Sequence, residues 1–414
     1  MLSDSQRDII KATVPALRAH GETITRAFYD NLLGAHPELF NYFNPANQRE
    51  GGQARSLAAS VLAYAAHIDR LGSLGDMVER ISGKHVSLEV RTEHYPIVGE
   101  FLLGAIAQVL GDAATPEILD AWAAAYGQLA GIMIGRERAL YDEGAARNGG
   151  WRGFKPFRVA RRVQESALTV SFHLVPADGT PPPDFKPGQY VSVKVRPPGF
   201  QYKQIRQYSL SDLPDGQHYR ISVKREGAPG TPAGLVSNFL HDSLAEGGEL
   251  LVHMPGGDFV LDEGSDSPVV LISGGAGITA VLAMLENLAA RSKREVLMLH
   301  GTRSREHHAF AACLRELAAL RPGIRTVTLY EAVGADDVVG EHHDAVGRIT
   351  AEVIRAHLPA GEAEFYYCGP IGFITATEQA LDALGIPLAR RHSEAFAPDP
   401  SFAAGAAEPR PQAA

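Results

Sequence analysis

Cysteine is scarce in this sequence: Cys313 and Cys368 are the only two among 414 residues. They are too few and too far apart for a disulfide framework or a thiolate metal site, and a reducing, cytoplasmic setting is the expectation. Positive charge is not in excess either. With 39 Lys and Arg against 48 Asp and Glu, the formal net charge is -9, which leaves no basic surface to favour nucleic acid or an anionic membrane. The amino-terminal stretch MLSDSQRDIIKATVPALRAH scatters charge among its apolar residues and so lacks the unbroken apolar core of a secretory signal. One uncharged run, Pro268 to Leu285, has about the length of a membrane span. Gly274, Gly275 and Gly277 lie at its centre, where each costs a helix about 1 kcal/mol, with VVLIS before them and AVLAML after. Strand, tight turn and helix is the better reading, so stable membrane insertion is not expected.

What is present is a globular composition, 45% hydrophobic and 21% charged, and a chain long enough for about three domains. The hydrophobic period changes along it. Residues 1–143 are helical throughout, as in ITRAFYDNLLGAHPELF, QARSLAASVLAYAAHI and YPIVGEFLLGAIAQVLG, and a last long helix starts near Glu117. AARNGGWRGF ends that helix, so 144–152 reads as a linker. From there to 264 the period is two, in short segments such as GQYVSVKV, QIRQYSLSD and YRISVKRE, which predicts a small antiparallel β-barrel over 153–264. Over 265–398 strands such as VVLIS, EVLMLHG and AEFYYCGP alternate with helical runs, which predicts an α/β domain with a parallel sheet. The tail 399–414, rich in Ala, Pro and Gly, is expected to be disordered. The fold class is therefore multidomain: all-α, then antiparallel β-barrel, then α/β.

Gly275, Ala276, Gly277 and Ala280 fit G-x-G-x-x-[GA] between a strand and a helix. Such glycines let backbone N–H groups approach a dinucleotide pyrophosphate, whose charge the helix N-terminus favours. The acidic residue expected after the second strand, for a ribose 2′-hydroxyl, is missing; Arg303, Ser304 and Arg305 stand there instead. These groups suit a 2′-phosphate, so NADPH is expected to be tolerated beside NADH. FYYCGP ends a strand with Cys368, where ligands of open α/β sheets bind. In RQYSL, Arg206 and Tyr208 alternate on a strand and share one face; a guanidinium suits a diphosphate and an aromatic ring can cover a flavin.

An antiparallel barrel carrying R-x-Y-S, then a G-G-x-G-I-T turn, then C-G-P resembles the FAD and NAD(P) module of the ferredoxin reductase superfamily. The resemblance implies that Arg206, Gln207, Tyr208 and Ser209 hold FAD, joined by Tyr190 and, near its pyrophosphate, by Gly234, Val236 and Ser237. It implies that Gly274, Gly275, Ala276, Gly277, Ile278 and Thr279 hold the NAD(P) pyrophosphate. In SEAFAP, Phe396 would cover the flavin ring, with Glu394, Ala395, Ala397 and Pro398 around it. Two departures bear on local loop shape: Ala280 stands where relatives commonly have proline, and Ala397 where many have glycine.

The helical segments FYDNLLGAHPELFNYFN, NQREGGQARSLAASVLAYA and KHVSLEVRTEHYPIVGEFLLGAI, in that order, are similar to the globin domain of flavohaemoglobins, and the likeness runs along nearly the whole chain. It implies a haem b whose single iron is held by His85, with Phe43 as an aromatic wedge, Tyr29 and Gln53 as the polar distal pair and Leu57 one turn beyond Gln53. A haem-ligating histidine needs a partner on its other ring nitrogen. Tyr95 can supply a hydroxyl and Glu137 can accept from it, so a Glu137–Tyr95–His85 chain would push electron density toward the iron, as redox chemistry needs. Tyr95 as packing and Glu137 as a surface partner of Arg136 or Arg138 are the plain alternatives. Lys84, beside the ligand, could lie at a haem and flavin junction or simply in solvent.

Hydride delivers electrons in pairs whereas haem iron changes by one, so a flavin must stand between them. The family resemblance implies a nitric oxide dioxygenase: NAD(P)H reduces FAD, FAD reduces the haem iron, and with O₂ the ferrous haem oxidises NO to nitrate. The residues by themselves support an O₂-handling haem reductase. Three other readings stay open: a gas-binding globin kept ferrous by its reductase, a flavin reductase with a haem-free docking domain, and a reductase of hydroperoxides or bound lipid, since the apolar distal side near Leu57 could admit an alkyl chain. No obligate protein partner is implied.

Overall fold

The structure, a computed structural model, describes residues 2–43, 51–227 and 233–396. The contacts of these residues divide them into two compact units: residues 2–43 and 51–145 with 198–205, and residues 146–197 with 206–227 and 233–396.

The first unit is helical. Helix α1 (Asp4–Ala35) starts on a capping box, in which the Ser3 hydroxyl accepts from the Gln6 N–H and the Gln6 side chain accepts from the Ser3 N–H. It buries Ile10, Leu17, Ile24, Phe28 and Leu32 along one face. The sequence pattern runs on through HPELF, but the helix stops at His36: Pro37 disfavours helical backbone in the residue before it, and Pro37–Asn41 forms a separate 3₁₀ turn. Helices α2 (Gly52–Ala66), α3 (Gly75–Ser87), α4 (His94–Leu110) and α5 (Pro116–Ala146) complete the unit. By length and composition α4, with the turn after it, and α5 could each cross a membrane. Their apolar faces serve another purpose, since Leu102, Ala105 and Ile106 of α4 and Ala121, Trp122 and Ala125 of α5 close the core built on α1.

The second unit contains both sheets apart from Gln204 and Ile205, the first two residues of one strand. Strands β1 (Phe154–Gln164), β2 (Thr169–Pro176), β3 (Tyr190–Val195), β4 (Gln204–Ser209), β5 (Tyr219–Lys224) and β6 (Glu249–His253) form one sheet in the order β4-β3-β6-β1-β2-β5. Leu210, just past β4 at one edge, bridges Ile221 of β5 at the other, which draws the sheet into a barrel. Its interior is apolar, with Phe157, Phe172, Val191, Val193, Ile221 and Val252 all fully buried. Helix α6 (Leu235–Ser243) follows β5.

The second sheet takes β7 (Val269–Gly274), β8 (Val296–Thr302), β9 (Ile324–Tyr330), β10 (Ala345–Val346), β11 (Glu364–Gly369) and β12 (Arg391–Ala395) in the order β10-β9-β8-β7-β11-β12, with every pairing parallel. Helices α7 (Ile278–Arg291), α8 (Ala311–Leu320), α9 (Ala351–His357) and α10 (Ile371–Ala383) connect them. Val269, Leu271 and Met298 face one core while Val270, Ile272 and Leu299 face another, so both faces are covered, as parallel sheets require. Strands β10 and β12 carry no alternating apolar signal, and sequence reading did not separate them from loops. The tail 399–414 lies outside the described residues.

Candidate functional site

His85 occupies the last turn of α3, Tyr95 the first turn of α4, and Glu137 the middle of α5. The three converge. His85 Nδ1 lies 2.8 Å from Glu137 Oε1 and 3.2 Å from the Tyr95 hydroxyl, which donates a short hydrogen bond to the same carboxylate oxygen. This corrects the expected linear chain: Tyr95 does not stand between the other two, because α5 brings Glu137 into direct reach of the ring. Glu137 is 3% exposed. It is no surface partner of Arg136, whose guanidinium pairs with Glu79 and Glu143 instead. Burial, reinforced by the bond to Glu137, pushes the Tyr95 phenol well above its ordinary range, so it stays a donor. Tyr126, which sequence reading missed, fixes Tyr95 from behind through a 2.6 Å bond to its carbonyl. That contact needs glycine at 99 on α4, where a Cβ would come within 2.5 Å of the Tyr126 ring.

Because the Glu137 carboxylate can only accept, Nδ1 is the donor in that contact, which leaves Nε2 as the nitrogen turned away from the carboxylate. The imidazole is one-third exposed. An imidazole held through one ring nitrogen by a carboxylate, with the other nitrogen available, is the ligand a haem iron takes.

Tyr29 on α1 is buried, and its hydroxyl is hydrogen-bonded to the Gln53 side chain of α2. Burial again pushes the phenol up. The Tyr29 ring meets Phe43 edge-on at 5.6 Å and Phe28 at 4.8 Å. Phe43 and Leu57 pack against the core but are only half-buried, leaving apolar surface for a flat macrocycle to cover. Lys84 is exposed. The distal residues belong to the core around α1, and Tyr95 to a smaller cluster with Ala130 and Met133; Tyr126 and Leu129 pack against both.

In the second unit, Arg206 and Tyr208 are half-buried neighbours on β4 with Gln207 between them and buried Ser209 after. Burial lowers the Arg206 pKa and raises that of Tyr208, and each partly offsets the other's shift by charge attraction. Tyr190 on β3 lies against Gly257, whose φ of +107° and lack of Cβ admit the ring. Gly234 caps α6, and among the described residues no side-chain cap bond is made there. Ser237 is occupied locally, accepting from the Glu226 N–H and donating to the Gly234 carbonyl, both at 3.2 Å, and Val236 is buried. Backbone, more than these two side chains, is what this helix end offers an anion.

Gly274 closes β7, Gly275 takes a φ of +53°, and Ala276, Gly277, Ile278 and Thr279 turn into α7 without a side-chain cap. A Cβ on Gly277 would come within 1.9 Å of the Cys368 carbonyl, so the turn lies directly on the end of β11. Thr279 donates to the Ala276 carbonyl at 3.0 Å, and Ala280 is fully buried. The Cys368 side chain is fully buried and its thiol is pushed far up by that burial, so its contribution is structural. Phe373 on α10, also missed, fills the face that Gly274 and Gly369 leave open, 2.6 Å and 2.7 Å from where their Cβ atoms would be. Glu394 and Ala395 lie on β12 opposite Cys368 and Gly369, and Phe396 is 44% exposed with its N–H bonded to the Gly369 carbonyl. Ala397 and Pro398 lie outside the described residues. After β8, Arg303 is exposed, Arg305 is 3.9 Å from Asp337 and Ser304 bonds His307 at 2.7 Å.

A helical unit with a histidine held by a buried carboxylate, followed by an R-x-Y-S barrel and a glycine-turn parallel sheet, defines a globin joined to an oxidoreductase module. Comparisons agree. The globin family matches residues 26–133, and the oxidoreductase NAD-binding domain family matches residues 271–379. The chain is 60% identical to the flavohemoprotein of Deinococcus radiodurans, covering 97% of this chain and 99% of that one, and 50% identical to that of Bordetella pertussis over 96% and 98%. The crystal structure of flavohemoglobin from Malassezia yamatoensis with bound FAD and heme is 32% identical, covers 95% of this chain and 99% of its own, and superposes with a TM-score of 0.82. The FAD/NAD-binding domain of nitric oxide dioxygenase from Vibrio cholerae is 41% identical, covers 59% of this chain and 99% of its own, and has a TM-score of 0.55. This chain belongs to the flavohemoprotein family.

Proposed function

We propose that this chain is an NAD(P)H- and O₂-dependent nitric oxide dioxygenase that detoxifies NO in the cytoplasm, with residues 1–143 as haem domain, 153–264 as FAD domain and 265–398 as NAD(P) domain. The observation that carries it is the 2.8 Å approach of Glu137 to His85 Nδ1. Haem would supply a one-electron metal centre where O₂ meets NO, and FAD would split the hydride pair. The chain's own residues do the rest. Glu137 and Tyr95 hold His85 at Nδ1, so that Nε2 would be the atom to ligate the iron. The more the carboxylate draws the Nδ1 proton, the more basic the ligand becomes, which favours the oxidised metal and electron release. Tyr29, protonated because it is buried, presents an O–H where negative charge develops on oxygen, and Gln53 holds it there. Arg206 would hold the flavin diphosphate through its N–H donors, Tyr208 and Phe396 would cover the flavin ring, and the Gly275–Gly277 turn would offer backbone N–H groups to the nicotinamide pyrophosphate.

NO electrode traces on aerobic protein test this. NO-dependent NAD(P)H oxidation with nitrate as product is expected. A chain that carries haem and flavin by its visible spectrum yet consumes no NO aerobically is not a dioxygenase. A second reading, that an apolar ligand such as a lipid chain enters beside Leu57, rests on that residue's half-buried apolar side chain. Fatty acid that shifts the haem spectrum and competes with NO supports it.

A further inference from the structure

Away from these sites, three segments of the barrel bring His173, Asp212 and His218 together. His173 lies on β2 in register with Arg220 of β5, His218 is the residue before β5, and Asp212 follows β4. Their ligand atoms all lie within 4.8 Å of one another. We propose that His173, His218 and Asp212 form a binding site for one borderline divalent cation of the zinc class.

Four observations support it. First, His218 Nε2 and Asp212 Oδ2 are 3.0 Å apart, close to the roughly 3.3 Å that separates two ligands of one tetrahedral ion with bonds of about 2.0 Å. Second, His218 has an outer partner already in place: its Nδ1 lies 3.0 Å from Asp215 Oδ2, the carboxylate–histidine arrangement that orients a metal-bound imidazole. Asp215 is itself fixed, because its other oxygen accepts from the backbone N–H groups of Gln217 and His218 around a glycine turn. Third, His173 stacks on His218 with ring centroids 5.1 Å apart and makes no hydrogen bond through its ring among the described residues. Fourth, Arg220 is an ion-pair neighbour of the Asp212 carboxylate but makes no hydrogen bond to it among the described residues. Its close partners are the Ser211 carbonyl and, at 3.0 Å, Glu286, while Asp212 Oδ2 stands 3.8 Å away. Two imidazoles and one carboxylate select zinc-class ions over magnesium.

Calorimetry of the full-length, tag-free holoprotein with Zn²⁺ and with Mg²⁺ provides the test, joined to anomalous scattering at the zinc edge, which separates zinc from haem iron. One zinc bound by these three side chains, with no matching magnesium site, is expected. His173→Gln, which removes no hydrogen bond, is expected to weaken zinc binding at least tenfold with haem and flavin content unchanged, and Asp215→Asn by about 10- to 100-fold. Zinc scattering only elsewhere, no binding beyond that of magnesium, or unchanged affinity in His173→Gln overturns the site.

Discussion

Glu137 Oε1 stands 2.8 Å from His85 Nδ1 and also accepts the Tyr95 hydroxyl, so one carboxylate buried in α5 governs two side chains from two other helices. Glu137→Gln keeps the shape but replaces an anion by a neutral amide. The imidazole then loses basicity, and the haem potential is expected to rise. Because a redox site of this kind must give an electron up, NO turnover should fall about 10- to 100-fold. Spectroelectrochemical titration measures the first effect; a potential equal to wild type removes Glu137 from electronic tuning and leaves it a packing residue.

On the other side of the helical unit's chemistry, Tyr29→Phe removes the only group in the Tyr29–Gln53 pair that must donate through oxygen. Loss of one preorganised donor costs on the order of 10²-fold. Flash photolysis should show faster oxygen release, and NO consumption should drop to match. Oxygen release at the wild-type rate would assign Tyr29 to the core alone.

Much of this was legible in the sequence because it lies in type and order. The change of period from helical to two-residue to alternating separates the three regions, and the G-x-G-x-x-A turn lies where a strand meets a helix. What was not legible depends on the third dimension. Nothing in the residue string says that Glu137 turns inward while Arg136, one position earlier, pairs outward with Glu79; the helical rotation between adjacent positions decides that. Tyr126 and Phe373 carry no motif, and only the glycines facing them, Gly99 on one side and Gly274 with Gly369 on the other, hint that a ring needs the space. The stop of α1 at His36 was readable from Pro37, but the apolar pattern running past it hid the break.

Gly277→Ala tests the close approach of turn and strand. With 1.9 Å between the added methyl and the Cys368 carbonyl, backbone on both sides must move. NAD(P)H-driven flavin reduction should be lost, while dithionite still reduces the haem because the helical unit is untouched. Normal NAD(P)H reduction in this variant would mean that the nucleotide is held elsewhere.

Arg303 is exposed after β8, and Arg305 keeps only a 3.9 Å approach to Asp337. A 2′-phosphate gains from such a guanidinium, whereas a 2′-hydroxyl does not. Arg303→Ala should therefore lower kcat/KM for NADPH about tenfold relative to NADH, as one exposed charge-assisted bond is worth. A ratio that does not change assigns the arginine to the solvent.

Glu286 on α7 makes reductase stability depend on pH. Burial pushes its carboxyl up to about 7, against the attraction of Arg220 at 3.0 Å. A group whose folded pKa is raised above its unfolded value near 4.5 contributes stability that is complete below that value and is lost as pH rises through about 7. The protonated Glu286 donates to Asp212, whose carboxyl is held well below its usual range. Glu286→Gln keeps the donor and removes the ionisation. The temperature at which flavin is released should fall between about pH 4.5 and pH 7 in the native chain, and fall less in the variant. Parallel pH profiles for the two proteins would show that Glu286 does not titrate in that range.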